Sequence, residues 1–131
     1  MAEGVLQYKP IILSAAKIYR IEPKLFLAVI YIEGGNPERC PDGLWTASCT
    51  SRSGAIGPAQ VKPFHFLEGV NGRDPAINIP KGMEILREYI DLAGEIRKGL
   101  AFYNCGPTGF EENPTPCWEY ADRVLTEYSS R

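Results

Sequence analysis

The stretch Leu25-Phe26-Leu27-Ala28-Val29-Ile30-Tyr31-Ile32-Glu33-Gly34-Gly35 decides the fold. Pro23 stands just before it, and proline suits the first turn of a helix because its missing N–H has no intrahelical partner there. Leu25, Phe26, Ala28, Val29, Ile30 and Ile32 then follow with so little polarity that the predicted helix has no water-facing side and belongs in the core. Gly34-Gly35 ends it. Glu33 is thereby placed in the last turn of a buried helix, where a carboxylate needs a reason to be.

Working outward, Ile11, Ile12, Ala15, Ala16 and Ile18 recur at helical spacing after Pro10, which predicts a helix over residues 10–19. Downstream, residues 35–53 are rich in Pro, Gly, Asp, Ser, Thr and Cys and predict one long irregular loop. A loop of that length inside a compact domain usually carries function. In the 54–61 segment two glycines precede Pro58, predicting a short helix that ends near Lys62-Pro63. Asp74-Pro75 is a cap followed by a first-turn proline. It opens a helix directing Ile77, Ile79, Met83, Ile85, Leu86 and Tyr89 inward, with Pro80 expected to displace or kink its first turns. Gly94 separates a further helix over residues 95–104, stopped by Gly106-Pro107, and a last helix is predicted over residues 118–128 with Tyr120, Val124, Leu125 and Tyr128 on one face. No β-alternation and no internal repeat is evident. The expected architecture is mainly α, an irregular helical bundle.

Length and composition bound the rest. The chain has 131 residues, 44% of them hydrophobic, which fits one domain over residues 1–131 around a single core. A net charge of −2 and the absence of any basic run argue against a nucleic-acid partner. Mixed stretches such as Glu95-Ile96-Arg97-Lys98 read as solvated helix surface. The first ten residues show no basic segment followed by an apolar one, so no signal peptide is expected. The apolar run 25–32 is far too short to cross a bilayer, and no membrane insertion is expected. Cys40, Cys49, Cys105 and Cys117 lack paired zinc-ligand spacing, and His65 is the single histidine, so neither a metal nor another cofactor is expected. Local pairing of Cys40 with Cys49 and of Cys105 with Cys117 would close two short loops, in segments where Pro, Asp, Asn or Gly disfavour helix. Four cysteines allow three connectivities, and buried free thiols are the competing account. Bridged cysteines imply an oxidising setting or a thermophilic source.

Glu33 is the residue with the most chemistry to explain. The negative end of the helix dipole and apolar surroundings both disfavour its charged form, so its pKa is expected to rise. A carboxyl that keeps its proton near neutral pH is what a general acid for glycosidic cleavage requires. On position alone, a plain helix-end glutamate is the competing account.

Glu33 belongs to the first of three segments that occur in order. Ile32-Glu33-Gly34-Gly35-Asn36-Pro37 is followed by Ser51-Arg52-Ser53-Gly54-Ala55-Ile56-Gly57-Pro58-Ala59-Gln60-Val61, and then by Ala101-Phe102-Tyr103-Asn104-Cys105-Gly106-Pro107. Together they resemble the soluble lytic transglycosylase domain of the lysozyme-like superfamily. That family shows a helix-ending Glu-Ser followed by Asn-Pro, a Ser-x-x-Gly-Ala-x-Gly-Leu-Met-Gln segment, an Asn-x-x-x-Gly helix and Ala-x-Tyr-Asn-x-Gly-Pro. Asn78-Ile79-Pro80-Lys81-Gly82 and Tyr120-Ala121-Asp122-Arg123-Val124-Leu125 supply further echoes, so the resemblance spans roughly residues 11–128.

The resemblance implies a lysozyme-like helical domain with its long loop beside an active-site cleft. It also implies cleavage of peptidoglycan glycan strands at the β-1,4 bond between N-acetylmuramic acid and N-acetylglucosamine. Glu33 would be the sole acid and base, first protonating the glycosidic oxygen and then deprotonating the C6 hydroxyl to close a 1,6-anhydro ring. Assistance from the substrate's own acetamido group makes a second carboxylate unnecessary. Ser51, Gln60, Tyr103 and Asn104 align with residues that contact substrate or lie near the acid. Each has a plainer account: Ser51 and Ser53 as turn residues, Gln60 as helix surface, Tyr103 as a core aromatic, Asn104 as a helix cap. His65, between Phe64 and Phe66, is expected to be packed or exposed without catalytic duty. Trp45 in the loop suits either sugar stacking or packing.

The chain departs from the family pattern at Gly34, where a serine is usual, and at Pro58-Ala59, where Leu-Met is usual. The segment between Glu33 and Ser51 is long and contains two cysteines, which predicts a stapled insertion beside the cleft. Two competing functions share the fold. A goose-type lysozyme would hydrolyse the same bond with water placed by Asp42, Glu38 or Asp74, and a non-catalytic module would bind glycan without cutting it. A monomer acting on the cell wall, in the periplasm or outside the cell, is expected. Without a signal peptide, a phage lysin released at lysis or carried in the virion fits, as does a domain of a longer secreted protein.

Overall fold

A computed structural model of the chain describes residues 6–34 and 54–130. These residues form five α-helices and one 3₁₀ turn: α1 (Lys9–Tyr19), α2 (Pro23–Gly34), the 3₁₀ turn (Pro63–His65), α3 (Pro75–Ala93), α4 (Ile96–Glu112) and α5 (Pro114–Ser129). The mainly α expectation holds. The predicted long loop lies outside the described residues, and so do Trp45, Ser51 and the Cys40–Cys49 pairing.

Helix α2 runs through the middle of the core. Leu25, Phe26, Leu27, Ala28, Val29 and Ile30 are all buried, so every side of this helix faces protein, as its unbroken apolarity requires. It packs against α1 and α5, while α4 packs against α3 and α5, and α1 against α3. Ile12, Ile79, Met83, Leu86, Leu100, Tyr120 and Val124 of the other helices join it in one core cluster, all inaccessible to solvent or nearly so. Each such side chain contributes about 1.5–3 kcal/mol on burial. Helix α1 contributes a narrower stripe of Ile12, Ala15 and Ala16. Ile18, expected among the apolar positions of α1, points outward.

Local signals set most helix ends. Proline occupies the first turn of α1, α3 and α5. Asp74 caps α3, its carboxylate accepting from the Ala76 amide at 3.0 Å. Gly94 closes α3 in a left-handed conformation, φ 81°. Arg20 does the same for α1 at φ 55°, and its carbonyl accepts from the Arg87 guanidinium at 3.0 Å, which fastens the α1–α2 corner to α3.

Five expectations need correction. The 54–61 segment is not a helix but a tight turn closed by a two-way backbone bridge between Ile56 and Val61, at 2.9 and 3.0 Å. Gly57 and Gln60 both adopt positive φ there, which no right-handed helix accommodates. Helix α3 continues through Pro80 without a break: proline forfeits one bond of the ladder, and the buried face of Ile79, Met83 and Leu86 outweighs it. Ile77 lies on the exposed side of α3 rather than inward. The helix expected to stop at Gly106-Pro107 only kinks there, Gly106 taking φ 71° and ψ 158°, and resumes as far as Glu112. Helix α5 starts at Pro114, earlier than expected, because Pro114 is itself a favourable first-turn residue.

The Cys105–Cys117 pairing is present, with Cα atoms 5.9 Å apart. Both cysteines sit in helices, contrary to the expectation of helix-free loops: the Gly106 kink folds the chain back far enough for α4 and α5 to present them to one another. On the outer face of the same two helices, Arg97 donates to both oxygens of Asp122 at 2.8 and 3.1 Å and lies over the Trp118 ring. No helix among the described residues is long and apolar enough to cross a membrane.

Candidate active-site cleft

The buried Asn78 builds one wall of the site. Its Nδ2 donates to the carbonyls of Ile56 at 2.8 Å and Gly72 at 2.9 Å, and its Oδ1 accepts from the Ala59 amide at 2.8 Å. One amide thereby satisfies three backbone groups and pins the 56–61 turn to α3. Gly57 is needed opposite it, since a Cβ there would stand 2.4 Å from the Asn78 Nδ2. One helical turn on from Asn78, Gly82 leaves room for the same turn to approach: a Cβ at Gly82 would meet Ala59 Cβ at 2.7 Å and Tyr103 Oη at 2.9 Å. The spacing of four puts both residues on one face of α3, so the Asn-x-x-x-Gly pattern is a docking device for the turn.

Tyr103, on α4, reaches the turn from the other side. Its hydroxyl donates to the Ala59 carbonyl at 2.6 Å, and its ring meets Phe26 of α2 edge to face. The last turn of α2 brings Glu33 to the same place, with 5% of its surface exposed. Burial first, then the negative charge of Glu33, then Tyr89, hold the Tyr103 phenol well above its ordinary pKa. The hydroxyl therefore keeps its proton and remains a donor.

Between these elements lies a cleft of about 300 Å³, within the range of ligand sites. Glu33, Gln60, Tyr103 and Asn104 all line it, so four of the five residues proposed from sequence come together. The fifth, Ser51, lies outside the described residues. Gln60 is not the helix-surface residue of the plainer account. It occupies the end of the turn at φ 55°, and its Nε2 donates to the Gly57 carbonyl at 3.0 Å. Asn104 sits just before the Gly106 kink and is exposed to the cleft.

Lys62, Phe64, His65, Ile85 and Tyr89 also line the cleft and were not singled out as site residues from sequence. Tyr89 read as one more inward position of α3. Burial and then Lys81 lower the pKa of His65, partly offset by Glu88 and Glu84, with Lys62 adding a smaller lowering effect. Glu33 is the sole carboxylate among the described residues that line the cleft. Asp74, a candidate for placing a hydrolytic water, instead serves as the cap of α3. Among the described residues no group of three or more His, Cys, Asp or Glu side chains gathers where a metal ion could be held.

The chain matches the family model of the transglycosylase SLT domain over residues 10–113. It belongs to that family. The match takes in α1, α2, the 56–61 turn, the 3₁₀ turn, α3 and α4, every described residue of the cleft falls within it, and it makes the fold a lysozyme-like SLT domain. The family is one of peptidoglycan lytic transglycosylases. Among curated proteins, a "Transglycosylase" of Enterobacteria phage PRD1 is 33% identical over 106 residues, covering 79% of this chain and 36% of the relative. The chain thus spans about a third of the length of that phage protein. No solved structure gives a significant match.

Proposed function

We propose that this SLT domain cleaves peptidoglycan glycan strands at the β-1,4 bond between N-acetylmuramic acid and N-acetylglucosamine, leaving a 1,6-anhydro-muramic end. The observation that carries this reading is a single buried carboxyl, Glu33, in a cleft whose other described lining residues include no second acid. Glycosidases that use two protein carboxylates need the second as nucleophile or as base for water. A lytic transglycosylase needs neither, because the nucleophile is the substrate's own C6 hydroxyl.

In this mechanism Glu33 gives its proton to the glycosidic oxygen as the C1–O bond breaks, and the acetamido oxygen of the muramic residue covers the developing charge at C1. The Glu33 carboxylate then takes the proton of the C6 hydroxyl as O6 bonds to C1 and the acetamido oxygen leaves. The carboxyl ends protonated and no water is consumed. The step requires Glu33 to start with its proton. Gln60, Tyr103 and Asn104 line the cleft as substrate contacts, with Ser51 proposed alongside them on the resemblance alone. The Tyr103 hydroxyl, held as a donor to the Ala59 carbonyl, fixes the 56–61 turn that carries Gln60 beside the cleft.

The phage relative favours a role as a lysin acting on the cell wall, the Cys105–Cys117 disulfide suits an oxidising compartment, and the domain is proposed to act as a monomer. Mass spectrometry of muropeptides released from purified sacculi tests the reaction. Anhydro-muramic ends are expected from the parent chain and none from Glu33→Gln. Reducing ends in their place would assign a goose-type hydrolase, and unchanged turnover by Glu33→Gln would remove Glu33 from the mechanism.

A further inference from the structure

Phe64 is 76% exposed, among the most exposed large apolar side chains described, yet it stands on the lining of the cleft. An exposed phenylalanine forgoes roughly 1.5–3 kcal/mol of burial. Looseness does not account for the exposure, because the segment is tightly built. Pro63 fixes the first φ of the 3₁₀ turn, the His65 amide donates to the Lys62 carbonyl at 3.1 Å, and the Phe66 amide donates to the Pro63 carbonyl at 3.0 Å. Phe66 anchors the far end, packing so closely on Gly72 that a Cβ there would lie 2.5 Å from its ring. The turn therefore directs Phe66 inward and Phe64 outward. His65 lies against Phe64, ring centroids 4.1 Å apart and 33° from parallel, and it too lines the cleft.

We propose that Phe64 and His65 form a stacking platform at the mouth of the cleft for one N-acetylhexosamine ring of the glycan strand, a specificity-determining contact apart from the acid. The proposal rests on the reading of the domain as a glycan-cleaving enzyme. In a β-1,4-linked hexosamine the ring substituents are equatorial, which leaves C–H groups facing out from each side of the ring. An aromatic surface covers such a face well, and it does so without discriminating by charge. Burial and Lys81 favour the neutral imidazole, so His65 offers a hydroxyl or acetamido group one donor and one acceptor and adds no charge to the platform. A carboxylate-bearing ligand would be better matched by Lys62 alone, and an apolar partner would need a continuous greasy surface, which the adjacent Lys62 interrupts.

Binding is tested in a Glu33→Gln background, so that the strand is not cut, by calorimetric titration with peptide-free glycan strands. Adding Phe64→Ala is expected to weaken binding about tenfold, Phe64→Leu by as much, and Phe64→Tyr by less than twofold. Leu67→Ala, at an 82% exposed position of the same segment that does not line the cleft, is expected to bind as the background does. Unweakened binding by Phe64→Ala, or equal binding by Phe64→Leu and Phe64→Tyr, overturns the platform while the enzyme assignment stands. Failure of the background to bind glycan, with no turnover by the parent chain, would overturn the enzyme assignment itself and the platform with it.

Discussion

The Tyr103 hydroxyl donates to the Ala59 carbonyl at 2.6 Å, and this bond holds α4 against the turn that carries Gln60. Removing it with Tyr103→Phe leaves a carbonyl without its donor, at a cost of about 1–2 kcal/mol. A fall in unfolding free energy of that size, with a larger proportional fall in glycan turnover, is expected. Equal losses in a variant far from the cleft would mean that the tyrosine acts through stability alone. The phenol also sets a pH dependence. Its folded pKa is raised above the ordinary value of 10.0, so the folded state holds the proton more tightly than the unfolded state. The corresponding stability is complete below pH 10 and is lost as pH rises beyond it. Melting temperatures of the parent should therefore fall more steeply above pH 10 than those of Tyr103→Phe.

Asn78 and Gly57 form a coupled pair, and their coupling is measurable. Asn78→Ala abolishes three buried hydrogen bonds, for an expected loss of about 3–4 kcal/mol. Gly57→Ala forces a methyl into the Asn78 amide at a backbone angle that disfavours alanine. Once Asn78 is alanine, the methyl has room. The double variant is expected to be less destabilised than the sum of the two, by 1 kcal/mol or more in a denaturant-unfolding cycle. Strict additivity would show that the two residues do not share one contact.

The legibility of the site follows from which residues act locally. Glu33 could be read because its helix is apolar on every side, so a charge at its end stands out. Tyr103 and Asn104 could be read from their order in the chain. Asn78 carried a pattern, Asn-x-x-x-Gly, but its role as a three-way anchor depends on carbonyls six and twenty-two residues away. The 54–61 segment reads as a helix start because Pro58 follows two glycines, whereas the Ile56–Val61 bridge and the Asn78 anchor that make it a turn are set by tertiary contacts. Pro80 is the opposite case: its local penalty is visible in the sequence, but the burial of Ile79, Met83 and Leu86 that overrules it is not. Phe64 gave no signal at all, since exposure cannot be read from a Phe-His-Phe run.

His65 is the single histidine of the chain, so its imidazole resonances are unambiguous in a proton NMR titration. Burial and Lys81 hold its pKa below 6.5, against the raising effects of Glu88 and Glu84. A midpoint below 6.5 is expected, moving back upward in Lys81→Ala. Because the folded pKa is depressed, the stability tied to His65 is present above pH 6.5 and is lost as pH falls below it. A midpoint at or above 6.5 would mean that the ring is solvated rather than packed against the cleft wall.

The Cys105–Cys117 disulfide closes a short loop around the Gly106 kink, twelve residues apart in sequence. Restricting the unfolded chain by a loop of this length stabilises the fold by about 3 kcal/mol. The double variant Cys105→Ala/Cys117→Ala should therefore unfold at lower urea, with the midpoint shifted by that energy divided by the denaturant slope. The effect should not be uniform across the molecule. Cys105 lines the cleft directly after Asn104, whereas Cys117 is fully buried in α5. Loss of the bridge frees the kinked end of α4 before it frees α2, whose contacts with α1 and α5 do not pass through the sulfurs. Amide exchange is accordingly expected to accelerate first over residues 104–112 and least over residues 25–30. Glycan turnover should decline in parallel with the first of these regions, and a variant that exchanged faster there at undiminished turnover would show that the bridge serves stability without positioning the cleft.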